Sequence, residues 1–285
     1  MWILSFWIFP VVSACMWLAM LLAMLGNWAA RGTPTYPSME AGQTIAYISD
    51  VGADGLKPLF ITGSVITVVF LNLSFVSERW LRHSGHLVPN RGWFDKFCAV
   101  ASIFFATAGA LGLILLSCYD TLHHPNLHDG FLVMFIVGYL VSAVLICVEY
   151  LWLGIFYRSQ HRILFVSFAI KLAFVLIEIA LAIPFGIYTR RNSGKKNVAA
   201  VLEWVIAFVF TGYILSFVVD LLPSVRTRRH IPQGEKRLEM AHEGPNAPHP
   251  GNGHNGGGYT VEEPLTTDSA GPNANYYRGQ RPTGY

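Results

Sequence analysis

The chain has 285 residues, of which 53% are hydrophobic and only 13% are charged, and its mean hydropathy is +0.43. A soluble domain carries roughly 25% charged residues, so this composition excludes a large soluble domain and indicates an integral membrane protein. The formal net charge is +3, and the basic residues flank apolar runs instead of forming a separate domain, so nucleic acid is not an expected partner.

Six apolar runs follow one another before residue 223. Each is close to the length of about 20 residues that an α-helix needs to cross a bilayer. They predict spans at about 2–26, 58–77, 97–118, 130–153, 163–187 and 198–222. The first run has no basic start and is too long for a cleavable signal peptide, so we expect it to be retained. The sequence thus predicts an all-α fold, a six-helix transmembrane bundle formed by residues 1–222.

The polar loop between the first two runs contains the stretch Tyr47–Phe60. Gly52 and Gly55 favour turns, and the Lys57–Pro58 pair predicts an extended chain just before the second run. We expect Asp50 and Asp54 to accept hydrogen bonds that fold this loop over the mouth of the bundle. The basic residues of the last loop on the same side are their expected partners: Arg190, Arg191, Lys195 and Lys196.

The third run, 97–118, is rich in alanine and glycine. Small residues let membrane helices approach closely, so we expect this span to be central in the bundle. The loop that follows, 119–129, contains three histidines and two aspartates. These could hold a transition metal, but no established ligand spacing is present, and histidines bonded to the loop backbone are the favoured interpretation. Histidines that titrate near neutrality are a third interpretation.

Five ionisable residues fall within the later spans, and each needs a partner or a wet cavity because a charge in a helix centre is costly. They are Glu149, Lys171, Glu178, Glu203 and Asp220. One interpretation is that interhelical bonds fix the packing, and the other is a polar pocket or ion path. Lys171 and Glu178 share a helix face but lie too far apart to pair, so their partners should lie on other helices. Glu149 and Asp220 are close enough to the membrane surface to snorkel to it or to remain hydrated.

Residues 223–285 are rich in glycine, proline, asparagine, histidine and serine, which predicts a disordered tail. A basic cluster opens this tail and is a candidate site for anionic lipids, although topology alone would also place basic residues there. The cluster consists of Arg226, Arg228, Arg229, Lys236 and Arg237. Counted near the membrane, nine basic residues lie on the side of the termini and six on the other. This difference predicts that both termini are cytoplasmic.

Three motifs resemble the Frag/DRAM/Sfk family of six-span membrane proteins. The first is in the loop after the first span, the second in the sixth span, and the third runs from the start to the end of the fourth span. Their residues are Tyr47, Ser49, Asp50, Gly52, Pro58 and Phe60; Glu203, Trp204 and Asp220; and His128, Asp129 and Glu149. The chain is most similar to the fungal Sfk branch, the suppressor-of-four-kinase type.

This resemblance implies a plasma-membrane protein that helps to recruit the phosphatidylinositol 4-kinase complex and to keep phospholipids asymmetric between leaflets. Animal relatives of the DRAM type imply an alternative, an autophagy role at the lysosome or vacuole. The residues themselves leave open a channel or transporter that uses the intramembrane acids. No catalytic motif is present and no cofactor or metal is expected, so the sequence does not support an enzyme.

Overall fold

The computed structural model describes residues 6–84, 87, 92–156, 162–189 and 194–222. The tail 223–285 with its basic cluster, and Arg190 and Arg191, lie outside the described residues. The described residues form seven helices and no strand. The helices are α1 (Ile8–Ala30), α2 (Ile48–Ala53), α3 (Lys57–His83), α4 (Trp93–Cys118), α5 (Pro125–Phe156), α6 (Arg162–Tyr188) and α7 (Lys196–Leu221). All except α2 are long and apolar enough to cross a membrane, which confirms the all-α, six-span prediction.

The six long helices form a closed ring. Each packs on the next in chain order, and α7 returns to pack on α1. A side-chain bond secures this closure, because Trp17 of α1 donates to the carbonyl oxygen of Ala207 on α7 at 2.8 Å. Ser13 of α1 donates to the carbonyl oxygen of Thr67 on α3, also at 2.8 Å. The short helix α2 lies across one end and contacts α1, α3 and α7.

Aromatic side chains fill much of the ring's interior. Phe210 of α7 is at the centre of this group, with its ring centroid 5.4 Å from Tyr139 and 5.9 Å from Trp17. Tyr213 continues the group along α7 and lies 5.1 Å from Phe217. Such edge-to-face pairs add about 0.5–1.5 kcal/mol each beyond the burial of their area. The core is therefore made mainly by α7 and the helices that face it.

Glycines bring α4 and α5 into direct backbone contact. A Cβ atom built on Gly138 would lie 2.6 Å from the backbone nitrogen of Gly109, and one on Gly112 would lie 2.6 Å from that of Phe135. The close approach predicted from the small residues is confirmed. The central position predicted for this span is wrong, because α4 packs mainly on α3 and α5 while its opposite face, with Val100 and Phe104, is exposed.

Most helix boundaries differ from the predicted spans by a few residues, and two of the differences have an identifiable cause. Helix α1 continues to Ala30, four residues beyond the predicted end, because Trp28 is buried and its indole donates to the carbonyl oxygen of Pro34. Helix α3 continues to His83, six residues past the predicted end at Ser77, because the charged residues there are paired inside the bundle. Charged residues alone therefore did not mark the end of this helix.

The Tyr47–Phe60 stretch is more helical than predicted. Lys57 and Pro58 form the first turn of α3, so the extended chain predicted there is wrong; a proline is tolerated in a first turn, where its missing N–H would have no helical partner. Gly52 lies inside α2, and a Cβ there would come within 2.6 Å of the Phe60 ring. Gly52 is thus required by close packing on Phe60 and not by a turn.

Candidate functional site

Charged side chains gather inside the bundle at the end where α3, α5 and α7 finish. The Arg79 guanidinium of α3 makes two bonds to the carboxylate of Glu149 on α5. On the same two helices, the Tyr150 hydroxyl donates to Glu78 Oε1 at 2.6 Å, and Arg82 Nη2 donates to that oxygen at 2.8 Å. These bonds join α3 to α5.

The same group of side chains joins α6 to α7. The ammonium of Lys171 pairs with the Asp220 carboxylate, and the hydroxyl of Ser167 also donates to Asp220. Lys171 Nζ further lies 4.2 Å from the ring centroid of Phe217 and 5.1 Å from that of Tyr150, which in turn carries the Arg82 guanidinium at 4.9 Å. Cation–π contacts at such distances are stronger when the cation is removed from water.

These residues constitute a buried charge network of three carboxylates and three cations. Its members are Glu78, Arg79, Arg82, Glu149, Tyr150, Ser167, Lys171 and Asp220. Glu149 and Lys171 are 0% exposed, and Asp220 is 7% exposed. The prediction that Glu149 and Asp220 remain hydrated is therefore wrong, while the prediction that Lys171 pairs with another helix is confirmed. For Glu149, Lys171 and Asp220 this arrangement supports the interpretation that interhelical bonds fix the packing. Each charged side chain of the network has an oppositely charged partner within it.

At the opposite end of the bundle, the loop 31–56 is bonded to α7. Glu203 Oε2 accepts the backbone N–H of Ile48 at 2.8 Å, and the Trp204 indole donates to the carbonyl oxygen of Ala46 at 3.0 Å. Near the start of α7, Asn197 Oδ1 accepts the backbone N–H groups of Thr44 and Ile45. The Glu203–Trp204 motif therefore holds this loop over the bundle mouth.

Asp50 organises the loop from within. Its carboxylate accepts bonds from the Ser38 hydroxyl at 2.6 Å, the backbone N–H of Tyr47 at 2.9 Å and the Gln43 amide at 3.3 Å. Burial raises the pKa of Asp50, and these three hydrogen bonds partly offset the rise. The prediction that Asp50 accepts loop hydrogen bonds is confirmed, and no basic residue is among these donors.

The predicted pairing of Asp50 and Asp54 with the basic residues of the last loop is wrong for Lys195 and Lys196, which the structure describes. Asp54 pairs instead with Arg31 at 3.4 Å, and both side chains are exposed. Lys196 does reach the 31–56 loop, but its partner there is Glu40 at 3.0 Å. The last loop therefore contacts the first through an acid that the sequence analysis did not select.

The 119–129 loop is tied to the start of α3. Lys57 Nζ lies 2.6 Å from Asp120 Oδ2, and the other oxygen of Asp120 accepts the backbone N–H of His123 at 2.7 Å. Although burial raises the pKa of Asp120, the hydrogen bonds from Lys57 and His123 outweigh it and hold that pKa well below its usual range. His128 is buried and its Nδ1 lies 2.9 Å from the carbonyl oxygen of Tyr119, as the backbone-bonding interpretation predicted.

The depressed pKa of Asp120 predicts how the stability contributed by its ion pair with Lys57 depends on pH. The carboxyl pKa is lower in the folded than in the unfolded protein, so its contribution is complete above the unfolded value of about 3.9 and is lost as the pH falls below it. We expect Asp120→Asn to lower the melting temperature by an amount that is constant between pH 5 and 8 and that shrinks below pH 4. A difference that disappears already at pH 6 would contradict this assignment.

The remaining motif residues have packing or surface positions. Ser49 is buried in α2, Pro58 begins α3, and Phe60 is 4% exposed against Gly52. Asp129 lies exposed near the start of α5. Within the described ranges no group of three histidine, cysteine, aspartate or glutamate residues is arranged to hold a metal ion.

Sequence analysis missed the α3 half of the charge network. Glu78 and Arg82 follow the predicted end of the second span at residue 77, and neither they nor Ser167 are among the candidate residues. The spacing of Glu78 and Arg82 by four residues was a usable signal, because oppositely charged residues at this spacing share a helix face. The pairing of Arg79 with Glu149 had no such signal, since 70 residues separate them.

The fold and these sites define a polytopic helical membrane protein whose intramembrane charges are mostly paired. Residues 5–224 match the profile of the Frag1/DRAM/Sfk1/Cwh43P N-terminal domain, and the chain belongs to this family. It is 34% identical to "Protein sfk1" of Schizosaccharomyces pombe over 79% of this chain and 66% of the relative. It is 31% identical to "Protein SFK1" of Saccharomyces cerevisiae over 54% of this chain and 52% of the relative.

The chain spans only part of each fungal relative. The matched segments cover about two thirds of the Schizosaccharomyces pombe protein and about half of the Saccharomyces cerevisiae protein. No solved structure matches the chain. The comparisons thus establish the family and its similarity to the Sfk1 proteins, in agreement with the predicted branch.

Proposed function

We propose that this protein is a non-enzymatic regulator at the plasma membrane that supports recruitment of a phosphatidylinositol 4-kinase complex. In this proposal it thereby sustains phosphoinositide levels and phospholipid asymmetry, and both of its termini are cytoplasmic. Its membership of the family and its similarity to fungal Sfk1 proteins support the proposal. The basic cluster Arg226–Arg237 would contact anionic lipids, phosphoinositides among them, beside the kinase.

The structural observation that carries the proposal is the buried charge network. It fixes α3, α5, α6 and α7 to one another at the end of the bundle from which the tail departs, and Asp220 lies three residues before the tail begins at 223. Because the network joins these helices, this end of the bundle would hold the start of the tail in a fixed position. Scaffolding needs such rigidity and needs no reacting group.

A channel or transporter is less well supported. An ion path needs charged groups that are free to exchange partners with the ion, whereas Glu149, Lys171 and Asp220 are each bonded within the network. Glu203 is bonded to the backbone of the 31–56 loop. An autophagy role at a vacuolar or lysosomal membrane remains the alternative that location would reveal.

Neutralising the basic cluster tests the proposal in cells that lack their own relative of this protein. Each basic residue near an anionic surface contributes about 1 kcal/mol of attraction, so replacing Arg226, Arg228, Arg229, Lys236 and Arg237 by glutamine should weaken lipid contact more than tenfold. We expect the tagged variant to reach the plasma membrane while the kinase signal there and a phosphatidylinositol 4-phosphate reporter both fall.

A matched control replaces five asparagines of the tail by glutamine and should behave as the wild type. These are Asn246, Asn252, Asn255, Asn273 and Asn275. Unchanged kinase recruitment by the neutralised variant would remove the basic cluster from the mechanism. A wild-type signal confined to the vacuole would contradict the proposed location.

A further inference from the structure

An apolar cavity of about 100 Å³ lies inside the ring, beneath α2. Its wall comes mainly from α5, α6 and α7, and α1, α2, α3 and α4 also contribute. Among the described residues the lining is apolar or aromatic, and its polar groups include the carboxyl groups of Glu178 and Glu203 and the hydroxyl groups of Tyr139 and Tyr213. Pockets of this composition, with few polar groups on an apolar wall, are typical of small-molecule sites.

Glu178 is unlike the other intramembrane ionisable residues. It makes no hydrogen bond or ion pair with any described residue, and its Oε1 atom is buried without a partner. By contrast, Lys171 pairs with Asp220, and Glu203 accepts a bond from Ile48. An unpaired carboxyl group in apolar surroundings costs several kcal/mol, so one that faces a cavity indicates a donor that occupies the cavity.

The lining determines the chemistry of that donor. No lysine or arginine among the described residues lines the cavity, so a phosphate group would meet two carboxyl groups without a cation from this part of the chain. A hydroxyl group can satisfy the free oxygen of Glu178 without bringing a second full charge into the apolar wall. A cavity of about 150 Å³ lined by apolar side chains holds a molecule of benzene, so this smaller space admits only the hydroxyl-bearing end of a lipid, and the chains must lie outside it.

The bilayer is the route to the cavity. The 31–56 loop covers the end of the bundle above it, through the bonds of Glu203 and Trp204. Helix α6 packs mainly on α5 and α7, and next to Glu178 its residues Leu176 and Ile177 are 57% and 45% exposed. Glu178 therefore lies at the edge between the cavity and the lipid-facing surface of α6.

We propose that the cavity binds an uncharged membrane lipid with a hydroxyl head, which donates a hydrogen bond to Glu178 while its chains extend into the bilayer. The site is distinct from the basic cluster of the tail and from the charge network. It does not depend on the regulatory function proposed above, because the test below contains no kinase.

Photolabelling of the purified full chain in phosphatidylcholine nanodiscs tests this site. The probe is a diacylglycerol with a diazirine close to its glycerol head, and labelled peptides of α5, α6 and α7 are quantified by mass spectrometry. We expect labelling that unlabelled diacylglycerol competes away. Glu178→Leu removes the acceptor and should lower labelling about tenfold, as expected for a hydrogen bond to a carboxylate.

Filling the cavity supplies a second variant with a matched control. Ala182 lines the cavity and Ala180 of the same helix is exposed, so Ala182→Phe should abolish labelling while Ala180→Phe should leave it unchanged. Equal labelling of the wild type and Ala182→Phe would overturn the site. Equal labelling by a photoreactive phosphatidylcholine would overturn the hydroxyl assignment.

Discussion

Replacing Lys171 by methionine is expected to lower the free energy of unfolding by about 3–5 kcal/mol, because the Asp220 carboxylate would remain buried without its cation. For a domain of this size, 1 kcal/mol corresponds to about 2–4 °C, so the melting temperature of the purified protein should fall by roughly 10 °C. Lys171 is 0% exposed, and solvent cannot replace the lost partner. Thermal unfolding in detergent, followed by intrinsic fluorescence, measures the change.

A double variant separates the charge pair from packing. Lys171→Met combined with Asp220→Asn removes both charges, and the asparagine can still bond to Ser167, so we expect most of the lost stability to return. Lys96→Met serves as the control, because Lys96 is exposed at the start of α4. A double variant as unstable as the single one would show that the lost stability does not come from leaving the Asp220 charge unpaired.

Replacing Gly138 by alanine is also expected to lower the stability of the protein strongly. The added Cβ would lie 2.6 Å from the backbone nitrogen and 2.7 Å from the Cα of Gly109, and it would lie 3.0 Å from the carbonyl oxygen of Phe105. Because all three atoms belong to the α4 backbone, the two helices must move apart, and a cost of about 3 kcal/mol is expected, the upper end for overpacking. The yield of folded protein and the melting temperature should both fall.

The control for this variant is on the same helix. Gly130 of α5 has no heavy atom within 4 Å of its ideal Cβ position, so Gly130→Ala should be neutral or slightly stabilising through helix propensity. If Gly138→Ala were equally harmless, the close packing of α4 on α5 would not contribute to stability. The comparison isolates the contact because the two variants have the same chemistry.

The sequence predicted the elements better than the contacts between them. The six spans were recoverable because apolar length alone identifies a membrane helix. The extension of α3 through its charged residues 78–82 was not, since those charges are tolerated only when Glu149 and Tyr150 of α5 supply partners for Arg79 and Glu78. Likewise, the sequence located Glu203 and Trp204 as a motif, but their bonds to Ile48 and Ala46 join residues more than 150 positions apart.

The sequence also could not predict that Glu178 lacks a partner among the described residues. Lys171 and Glu178 have similar settings in the sequence, seven residues apart on one helix. Only the positions of the neighbouring helices distinguish them, because α7 offers Asp220 to Lys171 whereas Glu178 faces the cavity. One charge is therefore a packing element, and the other is the candidate ligand contact.

The pairing of Lys171 with Asp220 has a consequence for how the protein enters the membrane. The lysine lies on α6 and its carboxylate near the end of α7, so α6 inserted alone would carry an uncompensated charge in the hydrocarbon. The two helices neutralise each other only when both have been synthesised and lie side by side. We therefore expect α6 to become stable in its transmembrane position only when α7 has been completed and packs beside it.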